Sequence, residues 1–176
     1  MSDTQPPRAR LERAQRRLLT VARDRYAEDR LADAVSAGIR QVVLFGAALD
    51  GFAAHNPYGV RILRYPTAGF EPAALCTGDP VFAVHLGGCT AGPRLSTALG
   101  LLGDCAPGSE IVFDCLPEFR GGTVTLLRDT GWEMLEELDS RALASRYLDH
   151  ATPTAVSIEL RVARARVRHN AGRLPS

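Results

Sequence analysis

The chain has 176 residues, 45% of them hydrophobic, and a formal net charge of +1 at neutral pH. That length and apolar share suit one globular domain and exclude a disordered chain, and the balanced charge leaves no electrostatic footprint for nucleic acid or an anionic membrane. No apolar run is long enough to span a bilayer, and the start, MSDTQPPRARLERAQRRLL, lacks the uninterrupted apolar core of a signal peptide, so a cytoplasmic location is expected by default.

Residues 1–7 are polar and proline-containing and read as a frayed end. From Arg8 to about Arg23 the chain is arginine-rich and helix-favouring, with Leu11, Leu18 and Ala22 at helical spacing and Leu19 beside them. The arginines Arg8 to Arg17 read as a solvated helix face or an oligomer contact. Asp24 is placed to cap a second helix, Arg25 to Ala37, whose inner face holds Tyr26, Leu31, Ala34 and Val35 and which Gly38 ends. Val42 to Gly51, VVLFGAALDG, reads as a buried strand, a tight turn and a helix. Strands are predicted at Gln41 to Phe45, Val60 to Tyr65, Pro80 to Leu86, Glu110 to Leu116, near Trp132 to Leu138, and Val156 to Val167. Helices are predicted at Arg94 to Leu102, Val124 to Thr130 and Ser140 to His150. This alternation predicts a three-layer α/β sandwich around a mostly parallel sheet, with the C-terminal strand antiparallel. The connection PTAGFEPAALCTGD, between Tyr65 and Pro80, reads as a loop with at most one helical turn.

The order of these motifs resembles the leucine carboxyl methyltransferase family. Arg23, Arg25, Tyr26 and Asp29 match its R-x-R-F-x-D-D block. Gly38, Arg40, Gln41, Gly46, Ala47, Leu49 and Asp50 match its V-R-Q-V-V-x-L-G-A-G-L-D-T-R block. APGSEIVFDCLP and DTGWEMLEELDSRALASRYL match later parts, so the resemblance runs from about Arg23 to Val167. It implies the class I S-adenosylmethionine-dependent methyltransferase fold, Rossmann-like and here trimmed. Residues 1–23 then form an N-terminal helical arm and residues 24–170 the methyltransferase-like α/β domain.

The departures from the family pattern carry the functional reading. The family's G-A-G is Gly46-Ala47-Ala48, and Ala48 puts a methyl group where glycine lets the backbone approach a cofactor. The T-R after the aspartate is Gly51-Phe52. The second strand of the family ends in acidic acceptors for the ribose hydroxyls; here Arg64 and Pro66 stand in those places, which reverses the recognition chemistry. The short connection after Tyr65 omits the family's third strand and adenine loop. W-E-G reads His85-Leu86-Gly87, and the substrate-covering helices are missing. Each lost polar partner costs about 1–3 kcal/mol, so three or four losses take a micromolar cofactor to the millimolar range or beyond. The expectation is therefore no cofactor, with S-adenosylmethionine as the alternative. Losing an edge strand leaves the central strands paired and makes Val60 to Tyr65 a new edge carrying Arg61 and Arg64, charges that discourage aggregation or mark a dimer contact.

Ligands of open α/β sheets bind beyond the carboxyl ends of the strands. Asp50, His85 and Asp114 fall there and form the catalytic candidates, since a histidine with neighbouring carboxylates is a usable acid–base set. The competing structural readings are a helix cap for Asp50, a family residue for Asp114, and a merely hydrogen-bonded imidazole for His85. Gly46, Ala48 and Tyr65 are candidate ligand-binding residues. Arg23 and Arg25 match family positions near the cofactor carboxylate, and bind an acidic ligand or pair with Asp24, Glu28 or Asp29. His55 and Tyr58 sit in a surface turn, HNPYG. Cys76, Cys89, Cys105 and Cys115 have no C-x-x-C spacing and no histidine pair, so no metal site is expected.

Three functions follow, in this order. The first is a repurposed, cofactor-independent enzyme performing cyclisation, isomerisation or proton transfer on a small organic intermediate, with bacterial secondary metabolism as context by analogy. The second is a true O-methyltransferase with an eroded motif. The third is a noncatalytic subunit of a partner enzyme. A trimmed sheet also predicts association, as a homodimer or with a partner enzyme.

Overall fold

The computed structural model describes residues 7–65, 78–87, 93–115, 120–148 and 158–168. In chain order its elements are α1 (Pro7–Ser36), β1 (Gln41–Phe45), α2 (Asp50–His55), β2 (Arg61–Tyr65), β3 (Val81–His85), α3 (Pro93–Leu102), β4 (Glu110–Cys115), α4 (Arg120–Asp129), β5 (Trp132–Asp139), α5 (Ser140–Tyr147) and β6 (Arg161–Val167). The six strands form one sheet in the order β2-β1-β3-β4-β6-β5. The pairs β1·β2, β1·β3 and β3·β4 are parallel. β6 runs antiparallel to both neighbours, so the predicted α/β class and its antiparallel C-terminal strand are both present.

Burial follows strand alternation. Every residue of β1 and of β3 is buried, as parallel strands covered on both faces require. On one face Val43, Phe45, Ala83, Ile111 and Phe113 meet Leu95, Leu99 and Leu102 of α3 and Leu127 of α4. On the other, Val42, Leu44, Phe82, Val84 and Val112 meet Tyr26, Ala27 and Leu31 of α1 and Leu143 of α5. The molecule is thus helix layer, sheet, helix layer.

Two predicted boundaries are corrected. The helix break at Asp24 is absent: α1 runs unbroken from Pro7 to Ser36. Asp24 caps nothing, because its carboxylate is taken by the preceding side chain, Arg23, at 2.8 Å. Leu19, Ala22 and Tyr26 carry the buried stripe straight across the expected break. The last strand begins at Arg161, since 158–160 are not strand; Val156 itself lies outside the described residues. The Ser140 hydroxyl donates to the Ile158 carbonyl at 2.6 Å and accepts from the Leu160 N–H at 2.6 Å. Those backbone groups serve the start of α5, which Asp139 also caps by accepting from the Ala142 N–H at 2.8 Å. The predicted loop after Tyr65 and the histidines at 150 and 169 lie outside the described residues.

Gly103 closes α3 at a tight spot. A Cβ there would lie 2.8 Å from the Thr130 carbonyl oxygen and 3.1 Å from that of Leu99. The Leu99 carbonyl also accepts from the Trp132 indole at 3.0 Å, so the backbone cannot give way cheaply. Gly103→Ala is expected to cost about 1–3 kcal/mol, read as a lower midpoint in urea denaturation; an unchanged midpoint refutes the tight contact. Among the described residues no helix is long and apolar enough to cross a membrane.

Candidate functional site

The parallel strands deliver the C-terminal ends of β2, β1, β3 and β4 to one side of the sheet. Their register aligns Tyr65, Phe45, His85 and Phe113 in a single row. Alternation puts all four on the face covered by α3 and α4. The Phe45 ring lies 5.4 Å from His85 and 6.2 Å from Tyr65, centroid to centroid. His85 is only 8% exposed. The structure thus brings two sequence-predicted residues, Tyr65 and His85, to either side of Phe45. Sequence reasoning missed Phe45, although its place as the last residue of the most apolar strand was a usable signal.

Asp114 follows Phe113 and so leaves the sheet on the opposite face, toward α1. It is 2% exposed. Its Oδ2 accepts from Arg23 Nη1 at 2.7 Å and from the Gly87 N–H at 3.0 Å. Arg23 also donates to Asp24 through Nε at 3.0 Å and Nη2 at 2.8 Å. One guanidinium therefore clamps two carboxylates, and Asp114 ties α1, the end of β4 and the turn after His85 together. Gly87 takes φ +113 in that turn, a conformation L side chains rarely adopt. Arg25, two residues from Arg23 along the helix, is exposed.

The turn after β1 is built on Gly46 at φ 64 and Leu49 at φ 50. The Gly46 N–H donates to the Tyr65 carbonyl at 2.9 Å, locking the turn to the end of β2. Ala48 is buried beneath it. Asp50 opens α2 and is exposed; its carboxylate pairs with Arg64, whose Nη2 also lies 3.5 Å from the Gly46 carbonyl. Arg64 thereby reaches from β2 back over the turn. Asp50, His85 and Asp114 do not converge: Asp50 is held on the rim by Arg64, and His85 and Asp114 stand on opposite faces. His55 ends α2 with Nδ1 2.8 Å from the Gly51 carbonyl, and Tyr58 is exposed beside Phe52.

Burial raises two groups at this end of the sheet. Burial first, then the nearby charges of Glu137 and Asp114, pushes the Cys115 thiol up to about 11, outweighing Arg161 and a hydrogen bond from Thr123. Such a thiol is no nucleophile at neutral pH. Burial also raises the Tyr65 phenol above its ordinary value, against the opposing pull of Arg61. Among the described residues no group of His, Cys, Asp or Glu is arranged to hold a metal ion.

Comparison with known proteins fits this architecture. Residues 1–62 match the family model "Leucine carboxyl methyltransferase". An 80-residue stretch is 42% identical to the Frankia alni protein "Putative S-adenosyl-L-methionine-dependent methyltransferase FRAAL3718", covering 40% of this chain and 28% of that protein. The chain thus spans well under a third of that relative's length. Among solved structures, a DUF574 family protein from Streptomyces avermitilis has a TM-score of 0.53 at 14% identity, covering 95% of this chain and 93% of that one. The Galdieria sulphuraria protein "putative sarcosine dimethylglycine methyltransferase" has a TM-score of 0.51 at 10% identity, covering 81% and 83%. At such identities the structures speak for the fold alone. The N-terminal block is thus similar to the leucine carboxyl methyltransferase family, and it is set on a sheet of class I methyltransferase type.

Proposed function

We propose that this chain is a methyltransferase-fold protein that does not use S-adenosylmethionine, and that the C-terminal ends of its parallel strands serve cyclisation, isomerisation or proton transfer on a small organic intermediate. The observation that carries this reading is Arg64. Its guanidinium spans the end of β2 and the turn after β1, engaging Asp50 and facing the Gly46 carbonyl. A ribose requires acceptors at the end of the second strand; a fixed donor there offers none. The cofactor is itself a sulfonium cation, so a second cation beside it adds repulsion. The residues present therefore do not suit the cofactor.

In this reading His85 is the acid–base group, set in the row Tyr65–Phe45–His85, and Asp114 positions the turn that follows it. Calorimetric titration with S-adenosylmethionine is expected to give no binding tighter than about millimolar. A low-micromolar dissociation constant overturns the proposal and restores the O-methyltransferase reading. Arg64→Glu is expected to tighten binding about 10-fold or more.

A second reading, a noncatalytic subunit of a partner enzyme, is favoured by one observation. Asp50 and Asp114 are both engaged by arginines of the same chain. It predicts that the purified chain alone turns over nothing while stabilising or activating its partner.

A further inference from the structure

The outer side of α1 carries apolar side chains that the fold leaves uncovered. Leu11 is 52% exposed, Leu18 39% and Val21 49%. With Ala14, also exposed, they recur at alternating intervals of three and four residues, the spacing of a two-helix seam. A groove of about 530 Å³ runs beside this seam, lined by Arg13, Arg16, Arg17, Thr20 and Val21. Arginine stems can extend an apolar surface while their charged heads stay in water.

The helix is also divided in charge. From Pro7 to Val21 it has five arginines against one glutamate; from Ala22 to Ser36 it has four carboxylates against three arginines. Two of those three arginines already hold carboxylates of their own chain, Arg23 with Asp24 and Asp114, and Arg30 with Asp33, so two of the four carboxylates are taken as well.

We infer that α1 docks against α1 of a second copy of this chain, antiparallel. Continued past Val21, the seam reaches Arg25 and Glu28. Antiparallel layering then sets Leu18 against Val21 of the second copy, Ala14 against its Arg25, and Leu11 against the methylenes of its Glu28. Charge selects this direction. A parallel pair stacks the two cationic halves side by side. The antiparallel pair lays each cationic half along the half bearing Glu28. The seam is short, so the dimer is reversible and its strength falls as salt screens the charges. This inference does not depend on the proposed function.

Sedimentation equilibrium on the full chain tests it. A monomer–dimer equilibrium is expected at tens of micromolar, an order of magnitude set by so short a seam, and it is expected to weaken as salt rises. Leu18→Asp with Val21→Asp is expected to weaken it at least about 10-fold with an unchanged circular dichroism spectrum, since both positions are exposed in the monomer. Direction is read by cross-linking. Chains carrying Leu11→Cys mixed with chains carrying Glu28→Cys are expected to form the 11–28 disulfide. Leu11→Cys alone is expected not to bridge to itself, because its two copies lie about 25 Å apart along the antiparallel pair, far beyond the roughly 7 Å a disulfide spans. A monomer throughout, a dimer indifferent to the double aspartate variant, or an 11–11 disulfide each overturns the inference.

Discussion

Truncating Asp114 to alanine is expected to cost the fold about 3–5 kcal/mol, the range for removing one partner of a buried ion pair. Arg23 would keep Asp24 but lose the acceptor that faces it from inside, and the Gly87 N–H would lose its partner. For a chain of this size that is a fall in Tm of about 6–20 °C. Asp114→Asn is expected to fall between, since an amide oxygen still accepts from Gly87 but carries no charge for Arg23. Asp50→Ala serves as the contrast: its pair with Arg64 is exposed on both sides, so the loss is expected to stay within about 1 kcal/mol. Thermal and urea unfolding of the three variants measure this. An Asp114→Ala protein as stable as Asp50→Ala would return Asp114 to the list of chemical groups.

His85→Ala is expected to lower turnover about 10²-fold or more on any substrate the chain converts, the usual contribution of a positioned acid–base group. His85→Gln is expected to match it, because glutamine keeps hydrogen-bonding atoms but not basicity. The alternative is a packing role, and the structure makes that a serious competitor: the imidazole is buried against Phe45 in an otherwise aromatic row. Packing predicts the reverse pattern, a lower melting temperature with unchanged turnover per folded molecule. Measuring both quantities on both variants separates the two roles.

The sheet was legible where residues speak locally. Gln41 to Phe45 was read with the bounds it has, because a short apolar run between Gly38 and Gly46 has few other uses. Asp24 misled because capping preference is a local rule, and here Arg23 satisfies the same carboxylate from within the helix. The last strand was read too long because the hydrogen bonds that remove Ile158 and Leu160 come from Ser140, 18 and 20 residues away. The site shows the same limit more sharply. Alternation within a strand fixes which residues share a face of that strand, but only the register between strands shows that His85 aligns with Phe113 and so opposes Asp114. Nothing local predicts that Arg23 reaches Asp114 across 91 positions.

The place of β6 has a consequence for how the chain comes to be folded. It is the last strand described, yet it lies between β4 and β5, and β5 pairs with no other strand in the sheet. As the polypeptide leaves the ribosome, β1 to β4 can assemble as soon as they emerge. β5 cannot; Trp132 to Asp139 waits with its ladder groups unpaired until Arg161 to Val167 has been made. Any pause in translation before residue 161 therefore leaves a half-built sheet with two open edges, the state in which a nascent chain depends most on a chaperone.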